Sequence, residues 1–288
     1  MFRSLIFVPG NSARFVEKAK RLEADIICLD LEDSVPVNEK DAARKIIADA
    51  LSHRQEYGRP IYVRTNSSES GLIAADLKAA LQKGLDGIVI PKVNDAKELM
   101  KIKKQLTTLE KSRKTGKIAL MPSIETAKGV VNAYEIAHAD DRINALVFGL
   151  FDFLHDMRLD YDENESAGYG YARAKVTVDA RAAGVNAIDG IWQKIDDTEG
   201  LVRDAMLAKR LGYAGKSIIH PSQIDPVHKV FLPTKGEIEW AKKVVAALGE
   251  AMQKGSGRGS VRLEGRMIDV VHYKQAKTIL DAAGDDET

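Results

Sequence analysis

Residues 24–33 read ADIICLDLED, and this stretch sets the pattern that decides the fold. Its apolar core ends in carboxylates, which is typical of a short strand that is buried on both faces and carries polar groups at its carboxyl end. One run of the same kind precedes it and six follow it: SLIFVPG at 4–10, PIYVRTN at 60–66, DGIVIPKV at 86–93, IALMPSIET at 118–126, NALVFGLFD at 144–152, VNAIDG at 185–190 and KSIIHPSQI at 216–224. The sequence therefore predicts eight buried strands.

The segments between these runs have the three-and-four spacing of amphipathic helices, as in SARFVEKAKRLEA at 12–24 and EKDAARKIIADALSH at 39–53. Alternation of strand and helix is typical both of an open doubly wound sheet and of a barrel. Eight consecutive units within about 220 residues match the usual size of a barrel domain. We therefore predict an α/β fold, with a (β/α)8 TIM barrel as the catalytic domain over residues 1–225.

Residues 226–288 add no ninth unit and form a predicted C-terminal extension. It contains a helical segment, a Gly/Ser-rich hinge KGSGRGS at 254–260, a hairpin-like VRLEGRMIDVV at 261–271 and a last amphipathic helix at 273–283. A hinge of this composition is flexible. We expect the segment 261–288 to act as a lid that covers its own barrel mouth or that of a neighbouring copy.

Charge and composition narrow the range of partners. The chain has 288 residues with 43 basic and 42 acidic side chains, so no net field attracts nucleic acid or an anionic membrane. No window reaches the ~18 apolar residues of a membrane span. We expect a cytoplasmic protein that binds neither. Cys28 is the only cysteine and lies inside the run at 24–33, which predicts a buried strand residue and excludes an intrachain disulfide.

Polar side chains follow the predicted strands, at the end where barrel enzymes hold their active sites. They are Asp30, Glu32, Asp33, Arg64, Asn66, Lys92, Glu125, Asp152, Asp189 and His220. Glu125 and Asp152 lie one βα unit apart, so both carboxylates can face a common point, where two oxygen ligands with room for water suit Mg²⁺. The alternative is that each carboxylate caps the helix that follows it.

Two cations follow the third and fourth predicted strands. The planar guanidinium of Arg64 suits a bidentate contact with a substrate carboxylate. It also has Asp30 and Glu32 as possible ion-pair partners, and the two roles are compatible. Lys92 is expected to form a salt bridge with the acidic cluster that includes Glu32 and Asp33, the alternative being a Schiff-base lysine.

The same segments resemble the citrate lyase β-subunit-like family of the HpcH/HpaI aldolase superfamily, which includes malyl-CoA and citramalyl-CoA lyases. The resemblance covers nearly the whole chain. It is carried by RSLIFVPGNSARFVEKA, DIICLDLEDSVPVNEKDAAR, YVRTN, GIVIPKV, MPSIETAKGVVNAYEIA, VFGLFDFLHDM, YARAKVTVDARAAGVNAIDG, GYAGKSIIHPSQIDPVHKVFLPT and LEGRMID. No one of these motifs is specific alone, but so many in the same order are.

The resemblance implies roles for several of these residues. Glu125 and Asp152 are implied to bind Mg²⁺, with Glu125 also lining the substrate site, and Arg64 is implied to be a catalytic residue that grips a substrate carboxylate. Asp269, in GRMID, is implied to be a catalytic proton-transfer residue that often reaches the site of a neighbouring subunit, in an oligomer expected to be a trimer. The proline that relatives carry shortly after this aspartate is missing here, because VVH follows at 270–272.

The function implied by the resemblance is a Mg²⁺-dependent carbon–carbon lyase, or a Claisen-type synthase in the reverse direction. Its substrates would be a carboxylate-bearing β-hydroxyacyl-CoA such as malyl-CoA or citramalyl-CoA, together with small oxo acids. Two alternatives stay open: an acyl-CoA thioester hydrolase that uses the same site, and the β subunit of a citrate lyase complex that needs an acyl-carrier protein partner. The C-terminal extension bears on the choice between a self-contained enzyme and a subunit of a complex, because a self-contained enzyme needs its own lid.

Overall fold

The computed structural model describes residues 2–162, 168–253 and 260–284. The chain divides into two compact units, Met1–His228 and Lys229–Thr288. All of the predicted hinge except Ser260 lies outside the described residues. No helix in the described residues is both long enough and apolar enough to cross a lipid bilayer.

Eight parallel strands form a closed barrel in the first unit, and neighbours in the barrel are neighbours in the chain. The strands are β1 (Ser4–Pro9), β2 (Ile26–Asp30), β3 (Ile61–Arg64), β4 (Gly87–Ile90), β5 (Ala119–Ile124), β6 (Ala145–Phe148), β7 (Asn186–Asp189) and β8 (Gly215–Ile218). β1 closes the barrel by pairing with β8, in a register that sets Ser4 beside Lys216. Each predicted run overlaps one of these strands, so the predicted (β/α)8 barrel is confirmed.

Side chains alternate along each strand between the barrel interior and the surrounding helices. In β2, Cys28 lies in an apolar interior cluster with Tyr62 of β3, Met121 of β5 and Ile188 of β7. Cys28 is fully buried, as the sequence predicts, and burial raises the pKa of its thiol. The next interior position on β2 is Asp30, so the two-residue period that fills the core also brings charged groups to the barrel mouth.

Helices connect the strands. They are α1 (Ala13–Ala19), α2 (Lys40–Ser52), α3 (Ile73–Ala80), α4 (Ala96–Arg113), α5 (Ala127–Val131), α6 (Ala133–His138), α7 (Leu150–Met157), α8 (Gly170–Ala182), α9 (Thr198–Leu211) and α10 (Ile224–Phe231). Several begin at a side-chain cap, because Ser12, Asp95, Thr126 and Asp197 each accept a hydrogen bond from an N–H of the first turn.

The second unit is the helical and hairpin extension that the sequence predicts. It contains α11 (Lys235–Gln253), the antiparallel strands β9 (Ser260–Leu263) and β10 (Arg266–Asp269), and α12 (Val270–Ala283). A small apolar core of its own joins these elements, made of Ala241, Val244, Leu248, Ile268, Ala276 and Leu280. The position of Asp269 is therefore set by packing within this unit.

Candidate active site

A cavity of about 410 Å³ opens at the carboxyl ends of the barrel strands, and we call it the mouth cavity. A volume of this order suits a small ligand. Among the charged residues predicted from the strand ends, those that line the cavity are Asp30, Asp33, Arg64, Glu125 and Asp152. The structure thus brings together the residues on which the predicted metal and carboxylate sites depend.

Arg64 and Asp30 form a bidentate ion pair at the floor of the site. The guanidinium donates from Nε to Oδ1 and from Nη2 to Oδ2 of Asp30, both at 2.7 Å. Asp30 also accepts the Glu32 N–H at 2.9 Å and the Ser34 hydroxyl at 2.5 Å. Burial acts to raise the pKa of Asp30, but Arg64 and these donors hold it below its ordinary value. Arg64 lies 4.4 Å over the Phe7 ring as well, which fixes the plane of the guanidinium.

An acidic cluster of Glu32, Asp33 and Asp152 lies beside this pair, and Lys92 contacts all three carboxylates. Lys92 Nζ lies 3.0 Å from Glu32, 3.7 Å from Asp33 and 3.1 Å from Asp152. The salt bridge expected for Lys92 is confirmed. Its backbone has a φ of 54°, a left-handed conformation that is uncommon for a residue other than glycine. Burial raises the pKa of Glu32 to about 7, although Arg64, whose Nη1 lies 3.2 Å away, opposes the shift.

Glu125 follows β5 and is only 3% exposed. Its Oε2 is buried and has no hydrogen-bond partner among the described residues. Gly149 makes room for it, because a Cβ at that position would lie 2.4 Å from Glu125 Cγ. Burial, with the charges of Glu32 and Asp152 nearby, raises the pKa of Glu125 to about 8. Glu125 is therefore a carboxyl group removed from water, with one oxygen that no donor in the described part of the chain satisfies.

Asp152 lies in the first turn of α7 and lines the same cavity. It does not cap that helix, which begins after Gly149, and Glu125 does not cap α5, whose cap is Thr126. The capping alternative is therefore wrong for both carboxylates. No group of three or more His, Cys, Asp or Glu side chains in the described part of the chain is arranged as a complete metal cage. Mg²⁺ needs only one or two carboxylates with water and substrate, so this pair fits it.

Three residues predicted from the strand ends lie outside the site. Asp189 is out of phase with the interior positions of β7, so it faces the helices, where it accepts hydrogen bonds from Arg173 at 2.9 and 2.6 Å and from Lys216 at 2.6 Å. Asn66 is bound to a buried carboxylate of α3. His220 is exposed. These three residues have structural or surface roles.

Asp269 ends β10 and is the N-cap of α12. Its Oδ1 accepts the Val271 N–H at 2.9 Å and lies 2.8 Å from His272 Nδ1. Asp269 belongs to the second unit and the mouth cavity to the first. Its reach into a barrel mouth stays a prediction.

The strand-end residues considered in the sequence do not include all the groups that line the cavity. Ser123, Ser217 and Phe7 also line it. Ser123 stands two residues before Glu125, and Phe7 stands two residues after Leu5, an interior residue of β1. Extending the two-residue alternation along each strand from its core positions identifies these side chains.

Comparison with known proteins places these features in context. Residues 3–221 match the family model described as HpcH/HpaI aldolase/citrate lyase. The citrate lyase subunit beta of Leuconostoc mesenteroides subsp. cremoris is 38% identical over 284 residues, which cover 98% of this chain and 93% of that protein. The mitochondrial citramalyl-CoA lyase of Rattus norvegicus is 34% identical over 292 residues, covering 98% and 86%. The (3S)-malyl-CoA thioesterase of Cereibacter sphaeroides is 33% identical over 285 residues, covering 98% and 94%.

One solved structure is similar over the barrel and the tail alike. It is the crystal structure of the protein CitE from Mycobacterium tuberculosis in complex with magnesium, acetoacetate and coenzyme A. It matches with a TM-score of 0.79 at 28% identity, and 98% of each chain is covered.

Proposed function

This chain belongs to a family of lyases, the HpcH/HpaI aldolase/citrate lyase family, and from that premise we propose that it is a Mg²⁺-dependent carbon–carbon lyase acting on a carboxylate-bearing β-hydroxyacyl-CoA. Malyl-CoA and citramalyl-CoA are the proposed substrates, and the reverse reaction is a Claisen-type synthesis. The observation that carries the proposal is Glu125, whose buried Oε2 has no hydrogen-bond partner among the described residues and which lines the mouth cavity with Asp152.

The balance of charge in the mouth supports a divalent cation. Arg64 is paired with Asp30 and also lies within ion-pair distance of Glu32 and Asp33. Lys92 contacts Glu32, Asp33 and Asp152, so these two cations face more carboxylates than they can neutralise. The pKa of Glu125 is raised to about 8 by burial and by neighbouring carboxylates. A cation held by Glu125 and Asp152 would supply the positive charge that the buried carboxylate of Glu125 lacks. When bound, Mg²⁺ supplies Lewis-acid stabilisation of negative charge that develops on a substrate oxygen.

Arg64 supports the choice of a substrate with a carboxylate. Its Nε and one N–H of Nη2 are bound to Asp30. A guanidinium has five N–H donors, and the edge formed by Nη1 and Nη2 lies beside two acidic side chains, because Nη1 is 3.2 Å from Glu32 and 3.5 Å from Asp33. Arg64 binds Asp30 through one edge, and a substrate carboxylate at the other edge would replace the contacts of Nη1 with Glu32 and Asp33, so the two roles expected from the sequence are compatible.

Cleavage breaks the bond between the hydroxyl-bearing carbon and the acyl carbon next to the thioester. The substrate hydroxyl loses its proton to water as its carbon becomes the carbonyl carbon of the departing oxo acid. The two electrons of the broken bond stay on the acyl carbon next to the thioester, which takes up a proton. We assign to Asp269 the proton that the acyl carbon takes up. The lid segment 261–288 would bring Asp269 to a barrel mouth. We propose that the protein forms a homotrimer in the cytoplasm. Similarity to a structure that holds coenzyme A favours this carrier. Sedimentation of the full chain tests the trimer.

Calorimetry of oxo-acid binding tests the metal and carboxylate sites together. Glyoxylate, pyruvate and oxaloacetate should bind only with Mg²⁺ present, and Asp152→Ala should abolish this binding. Glu199→Ala is the matched control, because the Glu199 side chain on α9 is 92% exposed. If no oxo acid binds under any metal condition, the lyase proposal is wrong.

The similarity to a thioesterase and to a citrate lyase subunit keeps two other activities as candidates. Product analysis with malyl-CoA and citramalyl-CoA separates all three. Acetyl-CoA with an oxo acid means carbon–carbon cleavage, and free coenzyme A with an intact hydroxy acid means thioester hydrolysis. Turnover that appears only when an acyl-carrier protein delivers the acyl group means a complex-dependent subunit.

A further inference from the structure

Ser217 on β8 has a buried hydroxyl without a partner. The residue is 1% exposed, and its Oγ makes no hydrogen bond within the described part of the chain. A buried hydroxyl is normally satisfied by protein or by ordered water, and an unsatisfied one lowers the stability of the fold. Ser217 also lines the mouth cavity. Its hydroxyl is therefore available to a group that enters this cavity.

The strand period turns Ser217 toward the interior of the barrel. Its neighbour in the register of β1 and β8 is Leu5, an interior residue. The preceding residue, Lys216, points the other way, because its ammonium contacts Asp189 and Asp204 on the helix side. Successive side chains of a strand lie on opposite faces. The Ser217 hydroxyl thus faces the cavity, and the Lys216 ammonium faces the helices.

The mouth cavity has two chemically different sides. Charged side chains line it from the ends of β2, β3, β5 and β6, namely Asp30, Asp33, Arg64, Glu125 and Asp152. The residues that line it from β7, β8 and the segments after them are Gly190, Ile191, Ser217 and Ile219. Among these four described residues, Ser217 has the only polar side chain. This side of the cavity therefore offers one hydrogen-bonding group in apolar surroundings.

The proposed substrate has four groups on the carbon that carries its hydroxyl. The proposed metal site at Glu125 and Asp152 accounts for the hydroxyl, and Arg64 accounts for the carboxylate. The thioester arm has to leave through the open mouth, because its coenzyme A carrier is too large for a cavity of about 410 Å³. The fourth group, which we call the branch, is a hydrogen in malyl-CoA and a methyl group in citramalyl-CoA. With the other three directions taken, the branch faces the side formed by β7 and β8.

We propose that Ser217 is a specificity-determining residue that donates a hydrogen bond to a polar atom on the branch. The inference rests on the proposed function, because the metal and carboxylate sites direct the branch. An apolar branch would leave the Ser217 hydroxyl without a partner, and a site that offers a hydrogen bond discriminates against an analogue that cannot make it. The preferred ligand class is a 2-oxo acid whose third carbon carries a polar group. The corresponding thioesters stay within the proposed substrate class and extend it beyond malyl-CoA and citramalyl-CoA.

Two oxo acids of nearly equal size isolate this contact. Hydroxypyruvate carries a hydroxyl group on its third carbon, and 2-oxobutyrate carries a methyl group in the same place. Calorimetry on the full chain with Mg²⁺ measures the affinity of each acid. The wild type should bind hydroxypyruvate about tenfold or more tighter than 2-oxobutyrate, because 2-oxobutyrate leaves a buried hydroxyl unsatisfied. Ser217→Ala should lose this preference.

Further measurements separate this role from a structural one. Ser217→Val fills the space of the branch and should weaken the binding of both acids about tenfold, whereas glyoxylate, whose branch is a hydrogen, should keep its wild-type affinity. Ser217→Ala should not lower the melting temperature of the metal-free protein, because the hydroxyl that it removes has no partner in the described fold. Ser112→Ala is the matched control, since Ser112 is exposed on α4, and it should behave as the wild type.

The inference is wrong if Ser217→Ala keeps the preference for hydroxypyruvate, or if Ser123→Ala removes it instead, because Ser123 lines the cavity from β5. A lower melting temperature of Ser217→Ala, or an equal loss of glyoxylate binding in Ser217→Val, also overturns it. In each of these cases, Mg²⁺-dependent binding of pyruvate by the wild type leaves the proposed function in place. If the wild type binds no oxo acid at any Mg²⁺ concentration, the proposed function fails and the inference fails with it.

Discussion

If Glu125 binds Mg²⁺ as proposed, Mg²⁺ binding at the mouth cavity should weaken steeply as the pH falls, because the proposed site uses Glu125 in its ionised form. Burial raises the pKa of Glu125 from its ordinary 4.5 to about 8 in the metal-free protein. Between these values the folded chain binds a proton that the unfolded chain has released, so the metal-free protein loses stability as the pH rises through this window. A cation that binds the ionised form must displace that proton.

The size of the effect follows from the ionised fraction of Glu125. With a pKa of about 8, about half of the groups are ionised at pH 8 and about one in a hundred at pH 6, so the apparent Mg²⁺ affinity should fall roughly fiftyfold. Calorimetry at several pH values, in pairs of buffers with different ionisation enthalpies, gives both the affinity and the number of protons released.

Glu125→Gln removes the titrating group and should bind Mg²⁺ weakly at every pH. Glu199→Gln changes a 92% exposed carboxyl group on α9 and should behave as the wild type. Equal Mg²⁺ affinity at pH 6 and pH 8, with no proton release, would refute both the raised pKa and the role of Glu125 as a ligand.

Three further variants test separate parts of the structure. Gly149→Ala places a Cβ 2.4 Å from Glu125 Cγ and should lower the Mg²⁺ affinity at least about tenfold. Gly116→Ala is the control, because its Cβ meets no atom within 4 Å, and it should leave the affinity unchanged. Equal affinities of the two variants in calorimetry would contradict this prediction. Lys216→Met leaves buried carboxylates without an ammonium at 2.6 and 2.5 Å, and a loss of about 3 kcal/mol should lower the melting temperature by about 5 °C. A decrease within the error of scanning calorimetry would show that this network does not stabilise the fold. Lys92→Met removes a cation that contacts three mouth carboxylates. The metal-free variant should have a lower melting temperature than the wild type, and Mg²⁺ should raise its melting temperature by more. An equal rise in the two proteins would contradict this balance of charge.

The barrel could be predicted from the sequence because a parallel strand that is buried on both faces has to be a nearly continuous apolar run. The site could be predicted in part from the same period. Asp30 and Glu125 keep the phase of the interior positions on their strands, whereas Asp189 is one residue out of phase and pairs with Arg173 instead. Polarity at a strand end was therefore an incomplete criterion, and polarity in phase with the core is the better one.

Other features depend on contacts between distant segments, which a single sequence does not display. The left-handed backbone of Lys92 carries its ammonium to carboxylates on two other elements. Gly149 is needed because of the volume of Glu125, which follows the neighbouring strand β5. The local sequence around Lys92 or Gly149 does not show why that residue is needed there.

The closure of β1 against β8 has a consequence for synthesis of the protein in the cell. β1 leaves the ribosome before the other strands of the barrel, but β8, which includes Lys216 and pairs with its second edge, is made only after the rest of the barrel. Translation adds about 5–20 residues per second, so an apolar strand waits for seconds with one edge open to other chains. Nascent chains should therefore depend on chaperones until β8 emerges, and fragments that end before Gly215 should aggregate through that edge.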